Sequence, residues 1–243
     1  MGQREFYPEL PSTQDRALQL ARDGADEGAV VVARRQTEGR GRLDHRWASP
    51  AGGLYLSIVL RPCGPLLPFA IGVELADAFS LEYGVRLRLK WPNDLLHVGT
   101  TGSARKLAGV LVDVVPTAAG GDATVAGIGV NARGLDGTAP ADLRGRTVGL
   151  EELTHGPVDL GRLESVVARA AVTARRTLSE PSGARPVVAR VRGLLYGAGE
   201  AVSVDGVPVG VLAGVRDDGA LEVRGRDGLL AFVAGDVRVG VGR

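Results

Sequence analysis

Between residues 85 and 131 three apolar runs follow one another with connections too tight and polar to return the chain parallel to itself. Val85-Arg86-Leu87-Arg88-Leu89-Lys90 alternates strictly and reads as a half-exposed strand. Lys106 to Val114 is a second strand, opening with a lysine, and Thr124 to Asn131 is a third, whose small residues permit close approach. The polar segment Gly99 to Arg105 is hairpin-like. Strands joined this way predict a largely antiparallel or mixed sheet rather than a doubly wound one.

Earlier in the chain, Ala29 to Ala33 reads as a buried strand and Leu54 to Leu60 as another. Ser12 or Thr13 caps a helix carrying Ala17, Leu18, Leu20 and Ala21 on one face and stopping at Gly24. Further helices are expected from Pro68 to Tyr83, ending at Gly84, from Asp159 to about Leu178, and from Arg185 to Leu195. From Gly199 the texture changes to short valine-rich strands punctuated by Asp205-Gly206 and Asp218-Gly219, which are hairpin-turn dipeptides. The expectation is an α+β domain over residues 1–195 and a small SH3-like β-barrel over 196–243. A barrel of that size is marginal alone, so it should pack on the main domain.

Two loops carry the chemistry. Gln36-Thr37-Glu38-Gly39-Arg40-Gly41-Arg42-Leu43-Asp44-His45-Arg46-Trp47 lies between two strands. Gly39 and Gly41 allow close backbone approach with free N–H donors, the arginines suit phosphate or carboxylate, and Trp47 offers a flat apolar wall. Such a loop holds a ligand with an anionic end and an apolar body, or is a solvated connection. It lacks the spacing of either nucleotide fingerprint. Trp91-Pro92-Asn93-Asp94 presents an amide and a carboxylate at a strand–turn junction, fit for a metal or a general base and equally for an Asx turn. Ser12 and Thr13 serve as a helix cap or line a site.

A formal net charge of +1 gives no global field toward nucleic acid or an anionic membrane. The lone Cys63 rules out an internal disulfide framework, reads as a small semi-buried hydrophobe and fits a reducing cytoplasm. His45, His97 and His155 share no metal-ligand spacing with it. The start, Met1-Gly2-Gln3-Arg4-Glu5-Phe6, has no signal-peptide core, and no run reaches the length of a membrane span. The expected setting is cytoplasmic.

Taken together, four stretches resemble biotin protein ligases: Ser12-Thr13; the Gly39-Arg40-Gly41-Arg42 loop continuing to Trp47 and Ser49-Pro50-Ala51-Gly52-Gly53-Leu54-Tyr55-Leu56-Ser57; Lys90-Trp91-Pro92-Asn93-Asp94; and Lys106-Leu107-Ala108-Gly109-Val110-Leu111 with Gly127-Ile128-Gly129-Val130-Asn131. The resemblance covers the main domain; the C-terminal part agrees in size and kind. It implies a catalytic domain like that of class II synthetases and a two-step ligation. Biotin and Mg-ATP would give biotinyl-5′-AMP and pyrophosphate, and a lysine of a biotin carboxyl carrier domain would then take the biotin and release AMP. By the same resemblance Lys106, Arg40, Arg42 and Asp94 would be catalytic, with Asp94 helping to deprotonate the acceptor lysine. Ser12, Thr13, Gln14, Gln36, Arg40, Gly41, Arg42, Trp47, Lys106 and Gly109 would bind biotin. Arg40, Arg42, Asn93, Asn131 and Lys106 would meet the nucleotide, and Asn93 would also contact Mg2+.

Gln14 stands where the family often has asparagine, and Leu43-Asp44-His45 replaces a glycine-and-arginine continuation, so the loop should be less basic beyond Arg42. No helix-turn-helix precedes Ser12, which implies a ligase without a repressor role, monomeric or homodimeric, with no nucleic-acid or membrane partner. The rivals are a lipoate or octanoate attachment enzyme and a non-enzymatic binder. The scarcity of aromatics and of a basic stacking platform argues against the binder.

Overall fold

The computed structural model describes residues 2–43, 45–134 and 143–240; Met1 and Asp44, which enter the readings above, lie outside them. The chain runs β1 (Arg4–Tyr7), α1 (Thr13–Arg22), β2 (Val30–Ala33), β3 (Leu54–Leu60), α2 (Leu67–Tyr83), β4 (Arg88–Lys90), β5 (Asp94–Val98), β6 (Ala104–Pro116) and β7 (Asp122–Val130). Helices α3 (Leu150–Thr154), α4 (Leu160–Ser179) and α5 (Ala184–Leu194) follow. Seven strands form one sheet in the order β1-β2-β3-β7-β6-β5-β4. Only β1 and β2 are parallel, so the sheet is mixed and largely antiparallel.

The cap residues place the helices as expected. The Ser12 hydroxyl accepts from the Asp15 N–H, the Asp159 carboxylate accepts from Gly161 and Arg162, and Gly84 closes α2 at φ 68°. Strand β4 is shorter than its alternation predicts. Val85 and Leu87 are buried, yet only Arg88–Lys90 lie in register with β5. Strands β1 and β5, the short α3 and the last C-terminal strand were not anticipated.

The pleat of the sheet decides where a site can form. Side chains on a strand alternate between faces. On one face Leu56, Ile58, Ala126, Ile128 and Val110 join α2, α4 and α5 in the main core. On the other, Val31, Val59 and Val125 pack under Ala17, Leu18 and Ala21 of α1. Farther along that second face the register sets Ser57 beside Gly127, Tyr55 beside Gly129, and Gly129 in turn beside Gly109. The glycines of Ala126-Gly127-Ile128-Gly129-Val130 thus fall on the face away from the core and leave a trough beside α1.

The C-terminal strands β8 (Ala201–Val204), β9 (Val207–Val215), β10 (Leu221–Gly225), β11 (Gly228–Phe232) and β12 (Val237–Val239) form a five-stranded antiparallel sheet, in the order β11-β10-β9-β8-β12. This is the small β unit expected. Its end strands β11 and β12 are not paired with each other among the described residues. Asp205 and Gly206 turn the β8–β9 hairpin with φ of 51° and 80°, the sign a two-residue hairpin needs at both positions. The unit packs on the main sheet: the Trp91 indole donates to the Gly219 carbonyl at 3.0 Å, and Leu212, Leu221 and Val223 share one core with Leu66 and Phe69. Among the described residues no helix is long and apolar enough to cross a membrane.

Candidate active site

The trough opens into a cavity of about 760 Å³. Ser12, Thr13 and Gln14 enter it from the start of α1, Gln36 and residues 40–43 and 45–47 from the Gly/Arg loop, and Asn93 and Asp94 from the β4–β5 turn. Lys106 and Gly109 come from β6, and Gly235 to Val239 close one rim from the C-terminal sheet. Every residue anticipated for the site lines this cavity except Asn131. That side chain is buried behind β6, its amide donating to the Lys106 carbonyl at 3.1 Å, so it braces the lysine's backbone.

Lys106 owes its position to an irregularity. Opposite β5, Leu95 pairs with Ala108 and Leu96 with Lys106, so Leu107 is an extra residue in β6. Simple alternation from Ala108 would turn Lys106 toward the core; the bulge re-aims it to the trough. There its Nζ sits 2.6 Å from Asp94 Oδ1 and 4.7 Å from the centre of the Trp47 ring. The Asp94 carboxylate is therefore ion-paired with the lysine. Arg42 stands close enough to feel the Asp94 charge, which raises its pKa, but burial is the larger effect and lowers it. An arginine stays protonated through such shifts.

Trp47 is seated by glycines. A Cβ at Gly129 would stand 2.5 Å from Trp47 Cε2, and one at Gly109 would stand 2.8 Å from Cζ3. The buried indole N–H finds no acceptor among the described residues. The Tyr55 hydroxyl, beside Gly129 in register, donates to the Pro50 carbonyl at 2.7 Å, and burial pushes its pKa up.

Parts of the loop differ from expectation. The Gly41 N–H is taken by the His45 carbonyl at 2.7 Å, and the Trp47 N–H donates to the Gly39 carbonyl at 2.8 Å, so the loop folds on itself as a tight hairpin. The Arg40 guanidinium reaches across to Asp15 at 2.6 Å. Asn93 is half engaged: its Nδ2 donates to the Val110 carbonyl at 2.7 Å, which fixes the turn against β6.

Other side chains of the site went unread. Ser57 is fully buried and bonds to both Thr13 and Gln14; Ser49 accepts from Gln36 Nε2 at 2.8 Å and donates to the Trp47 carbonyl; Asp113 accepts from Gln14. A polar residue inside an otherwise apolar strand, as in Leu56-Ser57-Ile58 or Val112-Asp113-Val114, was the available signal. Lys90, Arg146, Asp236 and Arg238 line the mouth, with Asp236 near Lys90 at 4.0 Å and Arg238 at 3.5 Å. The cavity therefore joins a small polar recess at Thr13 and Gln36, a Trp-walled trough, and a cationic end. That arrangement suits an elongated acid whose carboxylate must meet a polyphosphate.

Comparison with known proteins agrees with this geometry. Residues 7–131 match the model of the biotin/lipoate A/B protein ligase family. The biotin–[acetyl-CoA-carboxylase] ligase of Mycobacterium tuberculosis is 31% identical, across 97% of this chain and 88% of that protein. The bifunctional ligase/repressor BirA of Bacillus spizizenii is 28% identical, across 99% of this chain and 75% of its own length. Among solved structures, the biotin protein ligase of Aquifex aeolicus in complex with biotin and ATP superposes with a TM-score of 0.83 at 26% identity, covering 98% of this chain and all of that one.

Proposed function

The chain belongs to the biotin/lipoate A/B protein ligase family, and from that premise we propose that it is a biotin–[biotin carboxyl-carrier protein] ligase working in two steps. Biotin's carboxylate oxygen attacks the α-phosphorus of ATP, the bond to the β-phosphate's bridging oxygen breaks, and biotinyl-5′-AMP and pyrophosphate result. The ε-amine of a carrier-domain lysine then attacks the acyl carbon, loses its proton, and AMP leaves. The observation that carries this reading is Lys106 Nζ held between Asp94 and the Trp47 ring in the glycine-floored trough.

Two anions must meet in the first step, a repulsion of roughly 4 kcal/mol at about 4 Å and an effective dielectric of about 20. Lys106 and Arg42 offset that repulsion where the charges converge, and Arg40 strengthens the offset once released from Asp15. At the far end, Thr13 and Gln36, with Ser12 and Gln14 behind them, recognise the ureido ring of biotin, which presents two N–H donors and one carbonyl. A dithiolane acid offers no such groups and leaves the recess unpaired, at roughly 1–3 kcal/mol per group. Mg2+ arrives with the ATP phosphates, as this ion usually does. Asn93, on the cavity wall next to Asp94, would contact that ion. Residues 1–195 form the catalytic unit in this reading, and 196–243 close one side of the cleft through the Gly235–Val239 rim.

Asp94 acts twice. It holds Lys106 during adenylation and, once the lysine turns to the acyl phosphate, it faces the incoming amine and takes its proton. Transfer from preformed biotinyl-5′-AMP to a carrier domain should slow about 10²-fold or more in Asp94→Asn, the scale of general-base catalysis. A transfer rate equal to wild type would remove Asp94 from that role, and failure of the wild type to biotinylate any carrier would overturn the ligase reading.

A further inference from the structure

Below Thr13 the recess rests on hydrogen bonds whose proton directions follow from which atoms can donate. Gln14 is 3% exposed, and its Nε2 lies 3.0 Å from Asp113 Oδ2 and 3.2 Å from the Val125 carbonyl oxygen. Both partners only accept, so turning the amide over would set its oxygen against two acceptors. Gln14 Oε1 must therefore face Ser57 Oγ, at 3.0 Å. Gly127 leaves it the room, since a Cβ there would stand 2.5 Å from that oxygen.

Ser57 has one proton and two acceptors, Gln14 Oε1 and Thr13 Oγ1, each at 3.0 Å. Given to Thr13, that proton leaves Gln14 Oε1 without its one donor among the described hydrogen bonds. Given to Gln14, it leaves Thr13 Oγ1 still bonded through its own proton, with lone pairs that a ligand in the cavity can use. An amide oxygen left with no donor is the costlier of the two, so the proton goes to Gln14. Thr13's own proton is already directed at Gln36 Oε1, at 3.0 Å. Toward the cavity Thr13 is thus an acceptor.

Resting on the biotin reading above, we infer that Gln14, clamped by Asp113, is a specificity-determining positioning residue: it draws the Ser57 proton inward so that Thr13 Oγ1 presents its lone pairs to a ligand N–H. The ligand class this selects is an acid with a cyclic urea or a similar N–H donor at its far end. Gln14 acts through Ser57, and Asp113 acts through Gln14.

The test is biotin-dependent pyrophosphate exchange in wild type, Gln14→Met and Asp113→Asn. Gln14→Met keeps the volume and removes the acceptor; the KM for biotin should rise roughly tenfold, the scale of one buried hydrogen bond, with kcat and the KM for ATP within twofold of wild type. Asp113→Asn gives Gln14 a partner that can donate and so permits the turned amide; it should shift the same constant in the same direction by less. An unchanged KM for biotin in both variants overturns the inference, as does a joint change of all three constants, which would indicate general damage to the cavity. If Gln14→Met does not fold, Asp113→Asn alone decides by the same criteria. Absence of exchange in the wild type would instead defeat the biotin reading itself.

Discussion

Glycine is the residue that several close approaches in this site require. At Gly129 the missing Cβ would stand 2.5 Å from one Trp47 ring carbon and 2.7 Å from another, so the ring would have to shift. Gly129→Ala should therefore weaken biotin binding by about tenfold or more, from an overpacking cost of roughly 1–3 kcal/mol. Calorimetric titration with biotin measures this directly. Wild-type affinity in Gly129→Ala would show that Trp47 is not part of the biotin wall. At this scale much was legible in the sequence. Thr13, Gln36, Arg42, Trp47 and Lys106 converge as their motifs imply. What could not be read was partnership: Arg40 spends its charge on Asp15 and Gly41 spends its N–H on His45, because residue type states what a group can bond to and not what lies within reach.

Strand β1, held in part by charge rather than by apolar periodicity, is one element the sequence concealed. Strand β1 is tied to α1 by Glu5, whose carboxylate accepts from Arg16 Nε at 2.8 Å and Nη2 at 2.7 Å and from the Tyr7 hydroxyl at 2.8 Å. A four-residue segment reading Arg-Glu-Phe-Tyr gives no strand signal. The Arg16 guanidinium, with help from Tyr7, holds the Glu5 carboxyl at about 2, below its ordinary 4.5. A depressed carboxyl stabilises the fold above its unfolded pKa, and this contribution fades as pH falls from 4.5 toward about 2. Glu5→Gln should accordingly be less stable than wild type at neutral pH, with the difference closing across that window. Denaturant unfolding at pH 7 and at about pH 2.5 checks the sign, and a difference that persists or grows in acid would contradict it. The bulge at Leu107 was hidden for a different reason: nothing in Lys106-Leu107-Ala108-Gly109 marks the extra residue, which exists only relative to β5.

At the scale of the whole molecule, the two sheets share one core, and the Trp91–Gly219 hydrogen bond joins them inside it. Trp91→Phe leaves the Gly219 carbonyl buried without its donor and should cost about 1–3 kcal/mol. Both wild type and variant should unfold in a single transition, by fluorescence and circular dichroism alike. A separate transition for the C-terminal strands would mean that they stand as an independent unit. The change of texture at Gly199 was plain in the sequence, and so were the hairpins that follow; the rim that Gly235 to Val239 lend to the cavity depends on docking across the fold and was not. In the proposed adenylation, Lys106 brings biotin's carboxylate to the α-phosphate of ATP. Exchange of labelled pyrophosphate into ATP, with wild type and Lys106→Ala side by side, tests this most directly. Exchange that requires biotin, is not supported by lipoate, and is lost by about 10²-fold or more in Lys106→Ala is the predicted result. Exchange that survives the substitution would contradict the place given to the lysine, and exchange absent with biotin would contradict the adenylation step.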